Sequence, residues 1–120
     1  MLRPPSSTRI FLCAQAADMR RSFDGLAHMT RELIGEDPLT GHLFVFRNRR
    51  GDRMKVLWWD GDGFVLMYKR LEVGTFEFPA PQHAGEFEID TATLAMIFDG
   101  IDVTSVKRRR RFALKDRMMT

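Results

Sequence analysis

The stretch GHLFVFRNRRGDRMKVLWWDGDGFVLMYKRLEVGTFEFP, residues 41–79, constrains the fold more than any other part of the chain. Its apolar, β-prone runs are short and are separated by turn chemistry. Residues 42–47 form the first run, and Asn48-Arg49-Arg50-Gly51-Asp52 follows, with Gly51 free to take a positive φ. Residues 53–59 form the second run, closed by Asp60-Gly61-Asp62-Gly63, the strongest turn signal in the chain. Residues 64–71 form a third. Gly74 opens a short fourth, 75–78, which Pro79 closes. Links this short leave little room for crossovers, so the stretch predicts an antiparallel β-meander of four strands.

The flanking segments predict what covers that sheet. Residues 9–15 (RIFLCAQ) read as a first strand, apolar on both faces and therefore central. Asp18 is placed to cap a helix over 18–34. Met19, Phe23, Leu26, Thr30, Leu33 and Ile34 recur every three or four residues and make its buried stripe. Gly25 within the helix implies a close approach to the sheet, and Gly35 ends it. Residues 80–85 read as a loop and 86–89 as a short strand. Asp90 or Thr91 caps a last helix over 92–98, with Leu94, Ile97 and either Phe98 or Met96 buried and Gly100 as its stop. The fold class is α+β: a mainly antiparallel β-meander packed against one long helix, with a short C-terminal helix and a basic C-terminal tail. At 120 residues and 44% hydrophobic, one domain over 1–106 and a flexible tail over 107–120 are expected.

Charge is unevenly placed. Residues 107–120 carry seven basic residues against Asp116, a net of +6, whereas the remainder holds 12 basic and 15 acidic residues, a net of −3. Two readings of the tail compete: a polyanion-binding appendage through Lys107, Arg108, Arg109, Arg110 and Arg111, or a solubilising terminus. Arg47, Arg49, Arg50 and Arg53 gather around one hairpin whose tip can track a phosphate backbone; exposed hairpins also carry arginine for solubility alone. Alternation places Phe44, Phe46, Met54, Val56 and Trp58 on one apolar face. Val45, Arg47, Arg53, Lys55, Leu57, Met67 and Lys69 share the other, a phosphate-contacting surface or a face covered by another subunit. Trp58 and Trp59 point to opposite faces. One is expected to enter the core; the other stacks on a base, fills a protein interface, or lies under the first helix or the tail.

Several chemistries find no support. Cys13 is the lone cysteine, which removes an intrachain disulfide framework and a multi-cysteine zinc site, agrees with a reducing cytosol, and reads as a small buried hydrophobe. Asp60-Gly61-Asp62-Gly63 begins like a calcium loop, but Phe64 and then Leu71, at the twelfth position, break the ligand pattern. His28, His42 and His83 lack a ligand motif, and neither a phosphate-binding loop nor a nucleophile elbow is present. No three-carboxylate metal site stands out, although such sites are assembled in space. No catalytic residue, cofactor or metal is assigned. No apolar run of about 18 residues suggests a membrane span, and residues 1–8 lack the apolar core of a signal peptide.

Taken in order, Gly41-His42-Leu43-Phe44-Val45-Phe46, Arg49-Arg50-Gly51-Asp52-Arg53, Leu57-Trp58-Trp59-Asp60-Gly61 and Tyr68-Lys69-Arg70-Leu71-Glu72 resemble the TnpB accessory protein of insertion-sequence-66-type transposons, the product of their second reading frame. Asp18-Met19-Arg20, Phe23-Asp24-Gly25-Leu26 and residues 94–102 also fit, so the resemblance spans roughly residues 8–103. Thr93 stands where the family usually has Gln, and Arg21-Ser22 where Lys-Gly is more usual. The resemblance implies a non-catalytic accessory factor in DNA transposition, unrelated to the RNA-guided nucleases that share the name. Such a factor assists a partner transposase by contacting DNA, the transposase or both, alongside other transposon-encoded proteins. It works in the bacterial cytoplasm, at the nucleoid if it binds DNA. The alternatives are a pure protein-assembly module without nucleic-acid contact and an uncharacterised nuclease-like enzyme. Dimerisation, or docking on the transposase, is expected through an edge strand or the outward tryptophan.

Overall fold

A computed structural model describes residues 7–80, 87–99, 101–102 and 107–108. The elements in chain order are β1 (Ile10–Leu12), α1 (Phe23–Met29), β2 (Leu43–Arg47), β3 (Arg53–Trp59), β4 (Phe64–Arg70), β5 (Glu88–Ile89), α2 (Thr91–Asp99), β6 (Ile101–Asp102) and β7 (Lys107–Arg108). The first five strands make one sheet in the order β4-β3-β2-β1-β5, and β6 pairs with β7 in a separate two-stranded ladder.

The two glycine turns do what their composition requires. Gly51 takes φ 79° and Gly61 φ 108°, and the strands they link, β2 with β3 and β3 with β4, pair antiparallel. The sheet as a whole is mixed, because β1 lies parallel to β2 in the register Ile10↔Leu43 to Leu12↔Val45. The helical segment between them supplies the long crossover that parallel pairing needs. β5 then closes the other side of β1, antiparallel. β1 is thus internal, and Ile10, Leu12, Phe11 and Cys13 are buried on its two faces.

The four-strand meander does not form. Residues 75–78 are not a strand: Gly74, at φ 82°, ends a bend, and the chain beyond it lies across the β2–β3 turn. There the Phe76 N–H donates to the Gly51 carbonyl at 2.7 Å, and the Phe76 side chain is fully buried. The segment bonds to a turn, not to a strand edge, so no ladder can propagate.

The one long helix over 18–34 is also corrected. α1 is seven residues long and runs on as a five-residue π-helical turn, Thr30–Ile34, which Gly35 closes at φ 80°. Asp18 does not cap it. Its Oδ1 accepts the Arg20 N–H at 2.9 Å and its Oδ2 accepts from the Arg20 guanidinium at 2.6 Å, while Ser22 precedes the helix without a side-chain cap. The π turn has a local cause: buried Thr30 donates its hydroxyl to the Leu26 carbonyl at 2.9 Å, and the Gly35 N–H reaches back to the Thr30 carbonyl. A wider turn advances less per residue. Leu33 therefore swings out to 42% exposure, and Ile34 packs on the core instead. What a Cβ at Gly25 would meet first is the Arg21 side chain of the preceding turn, 3.1 Å away at its Cβ, and not the sheet.

Both sheet faces are covered. α1 lies over Phe11, Cys13, Phe44, Phe46 and Leu57. On the other face, α2 and Phe76 cover Ile10, Leu12, Leu43, Val45, Met54 and Val56. This corrects the expected faces. Phe44 pairs with Leu57 and Phe46 with Lys55, so these four side chains share one face, and Val45, Arg47, Met54 and Val56 share the other. The last paired residues, Arg47 and Met54, leave six residues between them, so even positions of β2 face odd positions of β3; pairing Arg47 with Arg53 across a five-residue turn would have produced the expected faces. α2 is capped as expected: Asp90 Oδ1 accepts the Thr93 N–H at 2.8 Å, and Leu94 and Ile97 are buried.

Lys55, at 6% exposure, fixes the approach to α1. Its Nζ donates to the carbonyls of Met19 at 2.8 Å and Arg21 at 2.7 Å. Lys55→Ala leaves both carbonyls without that donor, and a loss of about 1.5–3 kcal/mol in urea unfolding is expected, the range for hydrogen bonds to a charged group. A second expectation concerns pH. The Arg20 side chain, helped by the Arg20 N–H, holds the Asp18 carboxyl at about 2. A depressed folded-state value contributes stability above the unfolded value of about 3.9, and the contribution disappears as pH falls through about 2. A carboxyl NMR titration of Asp18 should centre near about 2 and move upward in Arg20→Ala.

Candidate nucleic-acid interface

Three of the cations expected at a DNA surface prove to be tethers. Each donates to a backbone carbonyl of a covering segment and lies over an aromatic ring. Lys55 holds the α1 approach and sits 4.7 Å from the Tyr68 ring centroid. Lys69 Nζ donates to the Phe98 carbonyl at 3.2 Å and lies 4.9 Å from the Phe98 ring, which ties β4 to the end of α2. Arg47 Nη1 donates to the Phe76 carbonyl at 2.8 Å, and its guanidinium lies 4.2 Å from the Phe78 ring centroid. Burial pushes the Arg47 guanidinium below its ordinary value, with Glu77 pulling the other way. Lys55 is thereby removed from the exposed basic surface, and Arg47 and Lys69 are half-buried.

The remaining hairpin arginines are at the surface. Arg49 and Arg50 are exposed in the turn, and Arg53 is half-exposed at the start of β3. Cross-strand pairing brings Arg53 opposite Arg70 at the end of β4, an arginine that sequence reasoning passed over. Arg53 Nη1 donates to the Tyr68 hydroxyl at 3.1 Å, and Arg70 pairs with Glu72 at 2.8 Å. Arg49, Arg50, Arg53 and Arg70 thus collect at one end of the sheet with three carboxylates, Asp52, Glu72 and Glu77, among them. The Asn48 amide donates to Asp52 at 2.7 Å and, with the charges of Arg50 and Arg53, holds the Asp52 carboxyl below the usual carboxylate range.

The turn carrying Arg49 and Arg50 is braced, not free. Asn48 accepts the Arg53 N–H at 3.0 Å through its side chain. Asp52 and Gly51 accept, through their carbonyls, the N–H groups of Leu71 and Phe76, each at 2.7 Å. Beside it opens a cleft of about 230 Å³, bounded by Ala14, Ala16, Arg47, Arg49, Arg50 and Glu77, among others.

The two tryptophans take opposite faces of the sheet, as adjacent strand residues should. Trp58 packs on the α2-side core, and Trp59, on the other face, meets Phe64 edge-to-face at 5.1 Å; both are half-buried. The large exposed aromatics among the described residues are Phe23 and Tyr68. Lys107 and Arg108 form β7, so the basic stretch begins within a strand, while Arg109, Arg110 and Arg111 lie outside the described residues. Cys13 is buried, and burial pushes its thiol up, the opposite of the shift that activates a nucleophilic cysteine. Among the described residues, no group of three His, Cys, Asp or Glu side chains is placed to hold a metal ion, and no helix is long and apolar enough to cross a membrane.

A small α+β domain with a braced arginine turn on a mixed sheet is the class these features define. The chain belongs to the family of IS66 Orf2-like proteins, whose pattern it matches over residues 8–108. This is a family of transposon-associated accessory proteins and not a known enzyme family. Two uncharacterized proteins of Sinorhizobium fredii are similar along almost their whole length. One, y4jC, is 37% identical over 109 residues, covering 91% of this chain and 92% of its own. The other, y4hO, is 39% identical over 102 residues, covering 85% and 88%. No solved structure matches the chain.

The brace at Gly51 has a direct test. Gly51 takes φ 79°, and a Cβ there would lie 3.3 Å from the Thr75 Cβ. Gly51→Ala should lower stability by about 1–2 kcal/mol from the left-handed backbone alone, read as an earlier urea midpoint with an unchanged slope. A neutral result would mean that Gly51 does not hold a left-handed backbone in the turn.

Proposed function

We propose that this protein is a non-catalytic accessory factor in DNA transposition that assists a partner transposase by contacting DNA. The observation that supports the DNA contact is the gathering of Arg49, Arg50, Arg53 and Arg70 at one end of the sheet, on a turn fixed by backbone hydrogen bonds. A fixed turn presents guanidinium groups without the ordering cost of a mobile loop, and arginine suits bidentate contact with phosphate. The basic stretch from Lys107 to Arg111 adds further phosphate contacts. Such contacts position the protein on DNA and carry no sequence information of their own.

A second reading has its own support. β4 is a seven-residue edge strand, and no described strand pairs with its outer side. Free edges invite pairing with another chain, so a pure assembly module, docking through β4 on the transposase or on a second copy, is the competing function.

Salt dependence separates the two. Duplex binding by the full chain should weaken with salt, and replacing Arg49, Arg50 and Arg53 by Ala should make the log–log slope shallower by about 0.9 for each phosphate no longer neutralised. Removing residues 107–120 should flatten the slope in the same way and weaken all sequences equally. If neither change alters affinity or slope while transposase capture is abolished, the DNA reading fails and the assembly reading stands.

A further inference from the structure

We propose that Tyr68 is a stacking platform for an unpaired base, flanked by Arg53 and Arg70 as contacts for the neighbouring phosphates. This deepens the DNA reading above and rests on it. Tyr68 is 47% exposed although it lies in the middle of the β3–β4 ladder, opposite Lys55. The Lys55 ammonium lies over the ring at 4.7 Å and is itself held by two backbone carbonyls. One side of the ring is therefore backed by a fixed cation, and its exposure belongs to the remaining face and rim. The hydroxyl is held in turn by Arg53 at 3.1 Å. The ring is ordered before any ligand arrives, which is what a stacking surface needs.

The surroundings match one nucleotide. Arg53, Tyr68, Arg70 and Glu72 line an open hollow of about 290 Å³, just under the roughly 300–1,000 Å³ of enclosed small-molecule sites. Arg53 and Arg70 are cross-strand partners beyond the ring, and Glu72 fixes the Arg70 guanidinium through bonds of 2.8 and 3.1 Å. Aromatic stacking with flanking guanidinium groups suits single-stranded nucleic acid, whose bases offer a free π-face; in a duplex that face is occupied by neighbouring pairs. The hollow therefore favours an unpaired strand over a duplex.

The test compares a labelled oligothymidine strand with a duplex of equal length at one salt concentration, using the full chain. Tyr68→Ala should weaken single-strand binding about tenfold or more, within the range for removal of one base–aromatic stack, and leave duplex binding within about twofold. Tyr68→Phe, which keeps the ring, should retain single-strand affinity. Photo-cross-linking of the unaltered protein to a 5-iododeoxyuridine strand should mark Tyr68, a readout independent of how any variant folds. If Tyr68→Ala weakens both ligands equally or neither, or if cross-links fall only elsewhere, stacking at Tyr68 is overturned. Should the Arg49, Arg50 and Arg53 replacements still reduce binding in that case, phosphate contact survives without it. Absence of binding to both DNA forms overturns both readings.

Discussion

The register of β2 against β3 is the constraint on which the rest of this structure depends. It is set by the turn between them, where Asn48 bridges to Asp52 and to the Arg53 N–H, and where Leu71 and Phe76 clamp the backbone from outside. With Phe46 opposite Lys55, and Lys55 opposite Tyr68, one row across the sheet carries a ring, a buried ammonium and an exposed phenol. Shifting that row by one residue would turn Lys55 to the α2 side, away from the carbonyls of Met19 and Arg21, and would turn Arg53 to that side with it. The layers, the tether and the arginine cluster therefore stand or fall together.

A sheet covered on both faces leaves little place for charge, yet three cations point into its layers. All three are accommodated in the same way: a carbonyl accepts from the cation, and a ring lies beneath it. Lys55 ties down the α1 approach, Lys69 the end of α2, and Arg47 the segment around Phe76. In each case a strand residue holds a piece of chain that no ladder hydrogen bonds could hold. Hydrogen bonds to charged groups contribute about 1.5–3 kcal/mol each, and cation–π contacts about 0.5–2 kcal/mol. Those contributions add to the apolar burial of Phe76, Leu94 and Ile97 in docking the covering segments.

That division of labour also marks what could be read in the sequence. Gly51, Gly61 and Asp90 were legible because their local backbone needs are strict, and β2 to β4 were legible because glycine turns separate alternating runs. The sheet faces were not, since parity depends on whether Arg53 pairs with β2, and it pairs with β4 alone, leaving six residues between Arg47 and Met54. Lys55 was read as a surface cation because its partners lie 34 and 36 residues away, where no spacing rule reaches. Phe76 looked like a strand residue because its neighbours are β-prone; its burial against the turn depends on the Gly51 carbonyl. Leu33 fitted a helical stripe that the π turn then rotated away. Tyr68 and Arg70 lay inside the motif that carries the family resemblance, yet only the cross-strand pairing with Lys55 and Arg53 gives them a common surface.

Once the tethers are set aside, the exposed cationic end of the sheet is small and mixed in sign. Arg49, Arg50, Arg53 and Arg70 stand beside Asp52, Glu72 and Glu77. At physiological ionic strength the screening length is about 8 Å, so these carboxylates weaken any phosphate held by the neighbouring arginines, whereas charges farther along the chain add little to it. Under the proposed reading such a surface binds a bare duplex weakly and gains what selectivity it has from geometry: a braced turn and an ordered ring. On that same reading the basic stretch that begins at Lys107 adds phosphate contacts of its own and raises the local concentration of DNA near the surface. Weak contact made productive by a partner that brings DNA near is the behaviour expected of an accessory protein.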